Sequence, residues 1–199
     1  MRFSGARLRR FGACGEVSCR EWRAAVLAVY TCLIVEIRRA LIADAEACCA
    51  IYNDHVLRTI VTFETEPITP DEMATRIGEK LRQHDWLIAE VAGEVVGYAY
   101  YGTFRPRAAY RHCVEVTIYL AGGVLGRGLG SQLYSALIDS ARRLGYLELI
   151  GGVALPNPAS VALHEKLGFV PVGVFPRVGY KFGAYIDVGF WQLSLEPQS

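Results

Sequence analysis

The sequence has no apolar run of the roughly 20 residues that a membrane-spanning helix requires. The longest apolar stretch, residues 24–35, is shorter and is bounded by the charged residues Arg23 and Glu36. Basic residues precede it, as in a signal peptide, but no convincing small-residue cleavage site follows. We therefore expect no membrane partner and a cytoplasmic protein.

The sequence also lacks an excess of charge of either sign. It carries 21 Lys and Arg against 20 Asp and Glu, which leaves a formal net charge of +1. Residues 1–36 hold six Arg and three Glu, so the rest of the chain has 15 basic and 17 acidic residues. A nearly neutral body does not offer the clustered basic surface that a phosphate backbone needs. We expect no nucleic-acid partner.

Cysteine is present, but it lacks the spacing of a metal-ligand set. The six cysteines stand at positions 14, 19, 32, 48, 49 and 113, and no second Cys or His pair completes a site with the first two. Cysteines in a helical pattern, such as Cys48 and Cys49, usually serve as small buried hydrophobic residues. We expect a reducing compartment, no disulfide framework and no metal.

The sequence predicts one domain with an appendage. The apolar content of 52% is enough for a sizeable core and excludes a disordered chain. We expect an N-terminal extension over residues 1–34 and the domain over residues 35–199. The extension has three interpretations: a loosely ordered segment, an artefact of an upstream start codon, or a targeting or membrane-associating segment.

From residue 35 onwards strand-like and helix-like patterns alternate. Thr69 and Pro70 mark a helix start, with Glu72 completing a capping box, and a strongly amphipathic helix begins near Leu129. This alternation predicts an α/β fold with a mixed sheet and helices on both faces. The predicted strands are 35–39, 86–91, 95–103, 113–120, 147–154, 170–176 and 186–195, and the predicted helices are 43–55, about 70–81, 129–144 and 158–167.

A glycine-rich loop joins the strand 113–120 to the amphipathic helix. Gly126, Gly128 and Gly130 precede a helix N-terminus, where unpaired N–H groups and the helix dipole favour an anion. No Lys-Ser/Thr pair follows Gly130, which excludes a nucleoside-triphosphate P-loop. A dinucleotide fingerprint is excluded because several strands precede the loop. A tight turn without a ligand is the alternative to anion binding.

Seven stretches within residues 35–195, about four-fifths of the chain, carry a resemblance to a known family. They are 37–40, 63–67, 115–120, 127–131, 155–158, 163–169 and 187–193, and Asp-Val-Gly-Phe-Trp-Gln-Leu at 187–193 is far more specific than the glycine loop. In these stretches the chain resembles the GNAT N-acetyltransferase superfamily, and most closely its phosphinothricin and methionine-sulfoximine acetyltransferase branch. The resemblance implies a mostly antiparallel sheet of about seven strands.

The resemblance implies acetyl-CoA as co-substrate. Loop amides would hold its pyrophosphate, and the end of the strand 113–120 would pair with the pantetheine arm, which Asn157 would also bind. Leu125 departs from the Gln or Arg that the superfamily usually has three positions before the middle glycine. The implied coenzyme-binding residues are Ile118, Tyr119, Leu120, Gly126, Arg127, Gly128, Leu129, Gly130, Ser131 and Asn157.

Acyl transfer from a thioester to an amine needs a base for the ammonium proton, a donor for the oxyanion and a proton for the leaving thiolate. Glu115, Thr117 and Tyr119 share one face of their strand, which indicates a polar cleft in a sheet otherwise apolar on both faces. We predict Glu115 as the general base, activated by burial in the cleft, and the resemblance agrees. The alternative is a rim glutamate in an ion pair.

His164 stands where many superfamily members carry a tyrosine thought to protonate the leaving thiolate. We weigh that role equally against a packing histidine whose ring bonds a backbone carbonyl, with Tyr119 and Tyr134 as other candidate acids. No sequence feature pairs Cys113 with a base, so we expect direct transfer in a ternary complex.

Cations are expected to recognise a carboxylate on the acceptor, a small amino-acid-like amine. Arg107, Tyr110 and Lys181 are candidates, each with the alternative of an ordinary surface residue, and the resemblance adds Phe63 to this pocket. It also implies a homodimer with Asp187 near the interface. Ile186 departs from the histidine common just before that aspartate.

Two other functions stay open. Acetylation of a protein N-terminus or of a polyamine is the second enzymatic hypothesis, although a polyamine would favour an acidic pocket, unlike one with Arg107 and Lys181. A non-catalytic acyl-CoA-binding module is the third, and the presence of both Glu115 and His164 argues against it.

Overall fold

The computed structural model describes residues 35–124 and 128–195. Seven strands form one sheet in the order β1-β2-β3-β4-β5-β7-β6, in which only β4 and β5 are parallel. The strands are β1 (Val35–Arg39), β2 (Trp86–Val91), β3 (Glu94–Thr103), β4 (Cys113–Leu120), β5 (Glu148–Leu155), β6 (Val170–Lys181) and β7 (Ala184–Ser194). The predicted fold class is confirmed.

Four α-helices cover the two faces of this sheet. They are α1 (Ala45–Arg58), α2 (Pro70–Lys80), α3 (Leu129–Arg143) and α4 (Pro158–Lys166). Short 3-10 turns stand at Ile42–Asp44 and Ala108–Tyr110. The side chain of Thr69 accepts a hydrogen bond from the Glu72 amide and caps α2, as its sequence predicts.

The alternation of side chains along the strands separates two apolar layers. Trp86, Ile88 and Tyr98 point to one face and pack with α1 and α2, whose buried residues include Met73 and Ile77. On the other face, the Tyr101 hydroxyl bonds the Ser140 hydroxyl of α3, at 3.0 Å, beside the buried Leu137. Each face of the sheet is therefore covered by a pair of helices, and the uncovered part of the first face is where a ligand has access.

The last hairpin differs from its prediction. Strands β6 and β7 continue to Lys181 and Ala184 around a tight turn, whereas the sequence pattern ended the first at residue 176. The pattern breaks there because the pairing shifts between Phe175 and Gly179, where Arg177 adopts a φ of 58°. The Arg177 amide donates to an oxygen of Asp187 at 2.7 Å, which holds this bulge.

The described ranges contain neither a membrane-spanning helix nor a cluster of metal-ligating side chains. None of the helices found there is both long and apolar enough to cross a membrane. No group of three or more His, Cys, Asp or Glu in residues 35–124 and 128–195 could hold a metal ion. The expected extension over residues 1–34 lies outside the described residues and stays a prediction.

Candidate active site

The parallel strands β4 and β5 separate part-way along their length. Their pairing begins at Cys113 with Glu148 and ends at Val116 with Gly151, although β4 continues to Leu120 and β5 to Leu155. The edges of Thr117–Leu120 and of residues 152–155 therefore face each other without a ladder between them. Unpaired strand edges can pair with an extended chain, so this wedge suits a linear ligand with amide groups.

One backbone group in the wedge already has a partner. The Nε2 atom of His55 bonds the carbonyl oxygen of Leu120 at 3.0 Å. Asn157 begins α4, and its side-chain oxygen accepts from the Ser160 amide at 3.1 Å. Leu120 and Asn157 were predicted to hold a pantetheine arm, and each has a structural hydrogen bond in addition to that predicted role.

The N-terminus of α3 opens beside the wedge. Gly128 is its N-cap and has a φ of 76°, a left-handed conformation that favours glycine. Because glycine has no side chain, this residue cannot cap the helix with a side-chain hydrogen bond. The first intrahelical bond runs from the Gln132 amide to the Gly128 carbonyl, so the amides of residues 129–131 precede the ladder. A Cβ on Gly128 would meet no atom of the described residues within 4 Å. Gly126 and Arg127 lie outside the described residues.

Glu115 lies between two glycines on the neighbouring strands. Its register partner on β3 is Gly102, and one of its carboxylate oxygens lies 3.6 Å from the position of a Cβ on Gly152 of β5. A ring carbon of Phe190 lies 3.5 Å from that same position. The side chain is exposed, so the burial that the sequence analysis expected is absent in this chain alone. The missing side chain at Gly152 leaves room for a substrate beside the carboxylate.

A cavity of about 630 Å³ lies on the Glu115 face of the sheet. This volume suits a small molecule. Tyr110 and Phe190 contribute aromatic walls, and the Glu148 carboxylate accepts hydrogen bonds of 2.7 Å from both Gln192 and Ser194. The lining residues are Phe104, Arg105, Ala109, Tyr110, His112, Cys113, Glu148, Ile150, Val172, Gly173, Val174, Phe175, Phe190 and Gln192.

His164 lies on the opposite face of the sheet and is almost fully buried. Its Nδ1 atom is 2.8 Å from the Ser160 carbonyl, which only accepts, so Nδ1 carries the proton. Its Nε2 atom therefore accepts from the Tyr134 hydroxyl at 2.9 Å. Burial lowers the pKa of His164, which disfavours the cation. A neutral ring with its only proton engaged favours the packing interpretation over the role of proton donor.

Tyr119 is packed among aromatic rings. Its ring centroid lies 5.2 Å from that of Tyr52 and 5.4 Å from those of His55 and Tyr98. Burial raises the pKa of Tyr119, and it also raises the pKa of the buried Tyr134. Each phenol can donate a hydrogen bond but is a weak acid.

The four predicted acceptor-binding residues fall into two groups. Phe63 lies against Gly179, where an added Cβ would overlap its ring, and Lys181 donates through Nζ to the Thr62 carbonyl at 2.8 Å. The hairpin tip thus meets the α1–α2 connection. Tyr110 lines the cavity described above, and the exposed Arg107 precedes the turn that carries Tyr110. Lys181 is buried, and desolvation lowers its pKa, so it is not a surface cation.

Comparison with known proteins identifies the architecture. The sequence profile of the acetyltransferase (GNAT) domain matches residues 37–189. The chain belongs to the GNAT acetyltransferase family. A phosphinothricin N-acetyltransferase from Streptomyces viridochromogenes is 42% identical over 162 residues, which cover 81% of this chain and 88% of that protein.

Further relatives share the same GNAT domain. An L-methionine sulfoximine/L-methionine sulfone acetyltransferase from Pseudomonas paraeruginosa is 40% identical, over 81% of this chain and 95% of that protein. The crystal structure of a phosphinothricin acetyltransferase from Sinorhizobium meliloti in complex with acetyl-CoA has a TM-score of 0.78 and 36% identity, and the match covers 81% of this chain and 88% of that protein. A ribosomal-protein-alanine N-acetyltransferase from Brucella melitensis has a TM-score of 0.79 and 38% identity, covering 80% and 99%.

Sequence reasoning missed the glycines that shape this GNAT site. Gly151 and Gly152 are consecutive and so face opposite sides of β5. A Cβ on Gly151 would overlap the His164 ring, and Gly152 leaves the room beside Glu115. On β3, the space over Gly102 is taken by the end of the Lys80 side chain. Glycine inside a predicted strand is a signal of close approach, and it was available in all three positions.

Proposed function

We propose that this protein transfers the acetyl group of acetyl-CoA to the amine of a small amino-acid-like acceptor of the phosphinothricin or methionine-sulfoximine type. The observation that carries the proposal is the wedge between β4 and β5, which is closed by pairing as far as Val116, beside Glu115, and opens towards the N-terminus of α3. The named relatives, at about 40% identity over four-fifths of the chain, support the same chemistry.

The described residues fit the coenzyme. The amides at the start of α3 suit a pyrophosphate, because the dipole is positive there and these donors precede the helix ladder. Gly126, Arg127 and Ser131 belong to the same proposed cradle. The edge of Ile118–Leu120, apart from the Leu120 carbonyl that bonds His55, suits the amides of pantetheine, and the amide nitrogen of Asn157 suits a carbonyl of that arm.

Glu115 takes the proton from the acceptor ammonium, directly or through a water, and leaves the neutral amine to attack the thioester carbon. The nitrogen–carbon bond forms and the carbon–sulfur bond breaks, so the coenzyme leaves as a thiolate that takes up one proton. A covalent enzyme intermediate is not required. Burial, with the nearby charges of Glu148 and Glu115, raises the pKa of Cys113, which keeps its thiol protonated and weakly nucleophilic.

The size and lining of the cavity support a small acceptor. About 630 Å³ bounded by Phe104, Tyr110 and Phe190 suits an amino-acid side chain. Arg107, which precedes the turn that carries Tyr110, is a candidate carboxylate ligand. The Brucella relative keeps protein N-termini as a second candidate acceptor. Polyamines fit less well, because the Glu148 carboxylate in the cavity lining already accepts hydrogen bonds from Gln192 and Ser194.

A homodimer in the cytoplasm is the proposed working form. Strand β6 is the edge of the sheet and exposes apolar side chains along nearly its whole length. Long apolar edges of this kind are normally covered by a partner. Asp187 helps to shape this edge, because its carboxylate accepts the hydrogen bond that holds the bulge at Arg177.

A thiol-release assay tests the function. With acetyl-CoA, we expect turnover of L-methionine sulfone, methionine sulfoximine or phosphinothricin, and little turnover of spermidine or of a peptide beginning with alanine. Glu115→Gln should lower kcat by about 10²- to 10⁴-fold, the usual contribution of general base catalysis. Its Kd for coenzyme A should not change.

Two results would count against the proposal. Release of coenzyme A with none of the amino-acid acceptors would remove the substrate class. Unchanged kcat in Glu115→Gln would remove the base, because the variant keeps the shape and loses only the proton acceptor.

A further inference from the structure

Lys80 places a positive charge next to Glu115 that neither the motifs nor the relatives point to. It stands in the last turn of α2, and its side chain crosses β3. A Cβ on Gly102 would overlap its Nζ atom and would lie 3.2 Å from its Cε. Nζ is also 5.7 Å from the centroid of the Tyr100 ring. Since Gly102 is the register partner of Glu115, the ammonium group lies beside the proposed base.

This ammonium group has no carboxylate partner within 4.0 Å among the residues that the structure describes. Its neighbour Arg76, one turn earlier on α2, bonds both Glu64 and Glu72. Lys80 is half-buried, so part of its hydration is lost without a protein anion to compensate. A cation of this kind, in a cleft, suits an anionic ligand.

The positions of Lys80 and Glu115 leave space for an α-amino acid. The Glu115 carboxylate leans towards Gly152 of β5, and the Lys80 ammonium lies over Gly102 of β3, on the other side of β4. The two charges are more than 4.0 Å apart, because no ion pair joins them. An α-amino acid carries its amine and its carboxylate on one carbon, so it can place the amine at Glu115 and the carboxylate at Lys80 through charge-assisted hydrogen bonds.

We propose that Lys80 binds the α-carboxylate of the acceptor and thereby restricts this enzyme to free α-amino acids. This inference rests on the proposed acetyl transfer at Glu115. It separates the acceptors by chemistry, since a polyamine has no carboxylate and a peptide N-terminus has an amide in that place. Gly102 is required for this carboxylate site, because any side chain there would displace the Lys80 ammonium group.

The test compares L-methionine sulfone with its amide and with the amine that lacks the carboxylate, each with saturating acetyl-CoA. In Lys80→Met, KM for the free acid should rise about 10- to 100-fold, the range for one charged hydrogen bond, with kcat little changed. KM for the amide and for the amine should stay as in the wild type. Lys80→Arg should recover most of the preference, and Gly102→Ala should raise KM for the acid only.

Lys166→Met is the matched control, because it makes the same change at an exposed lysine of α4 and should alter none of these constants. An unchanged acid-to-amine ratio in Lys80→Met, with wild-type activity present, overturns the role of Lys80 alone. If Arg107→Met loses the preference for the acid over the amine while Lys80→Met keeps it, the role of Lys80 is also overturned. The carboxylate ligand is then Arg107. If the wild type acetylates none of the three compounds, the proposed function itself fails and Lys80 fails with it.

Discussion

At the scale of single residues, His164 shows how tertiary contacts choose between two interpretations of one position. Sequence alone left a proton donor and a packing residue equally open. In the fold, the ring joins α3 to α4 through Tyr134 and the Ser160 carbonyl, and it packs edge-on against Phe169 at 5.0 Å. Its role in the structure is to fill the space over Gly151.

We predict that His164→Phe destabilises the protein more than it slows the reaction. Removing the ring nitrogens leaves the buried Tyr134 hydroxyl without its acceptor, which should cost about 1–3 kcal/mol of unfolding free energy. In contrast with Glu115→Gln, kcat should fall by less than tenfold. Denaturant unfolding and the thiol assay on the same preparation measure both quantities, and a large loss of kcat at unchanged stability would restore the proton-donor role.

The same residue gives the expected pH dependence. Burial lowers the native pKa of His164, and burial together with the charge of Lys80 lowers that of His84. Below the ordinary histidine pKa of about 6.5, these two histidines are protonated in the unfolded chain but remain neutral in the native state. The unfolded state therefore binds more protons, and lower pH favours it. Unfolding free energy should fall between pH 7.5 and 5.5, and this fall should be smaller in His164→Phe. Equal slopes in the two proteins would contradict the assignment.

At the scale of elements, the two ends of α3 allow a matched experiment. Gly128 and Gly145 flank the helix with φ values of 76° and 80°, and a Cβ on either would meet no atom within 4 Å. Alanine at each position should therefore cost a similar backbone strain, about 1–2 kcal/mol.

Only Gly128→Ala should weaken binding of coenzyme A, because Gly128 is the N-cap residue directly before the α3 amides, whereas Gly145 lies at the other end of the helix. We expect an increase in Kd of about tenfold or more by calorimetry, equivalent to about 1.4 kcal/mol. Gly145→Ala should bind as the wild type does. An equal Kd in both variants would mean that these amides do not hold the pyrophosphate.

The elements differ in how far their sequence predicts them. Strand β4 and helix α3 start and end within a residue or so of their predicted bounds, because periodicity, glycine and charge agree there. Leu144 lies inside the predicted helix bounds but is 54% exposed, since the helix ends at Arg143 and Leu144 is its C-cap. The bulge in β6 was missed, because its signal is the hydrogen bond from Arg177 to Asp187, ten residues away.

The most specific motif of the family has a packing explanation. Along β7, a side chain on Gly189 would collide with the Trp191 ring, Phe190 lines the cavity, and Gln192 bonds Glu148. The motif therefore combines one wall of the acceptor cavity with the packing that holds it. Ile186, the departure from the family pattern, is buried in the sheet.

At the scale of the whole molecule, the exposed apolar edge of β6 predicts self-association. Val170 and Val178 are about 60% exposed and lie outside the cavity lining. Sedimentation should find a particle of twice the chain mass, and the double variant Val170→Lys/Val178→Lys should shift it to the single mass. Leu144→Lys, which makes the same change at an exposed leucine of α3, should leave the dimer intact. A monomeric wild type at micromolar concentration would contradict the proposal.

The sequence by itself determined the order and type of the elements, the position of the glycine loop and the strand that carries Glu115. These features depend on local periodicity and on turn and capping chemistry, which neighbouring residues encode. Only the tertiary structure decided where β4 and β5 separate, that Lys80 lies beside Glu115, and that His164 is neutral and enclosed. Those outcomes depend on contacts between residues 13 to 35 positions apart, such as His164 over Gly151, Lys80 over Gly102 and the pairing of Val116 with Gly151. No local pattern specifies which distant side chain fills the space that a glycine leaves.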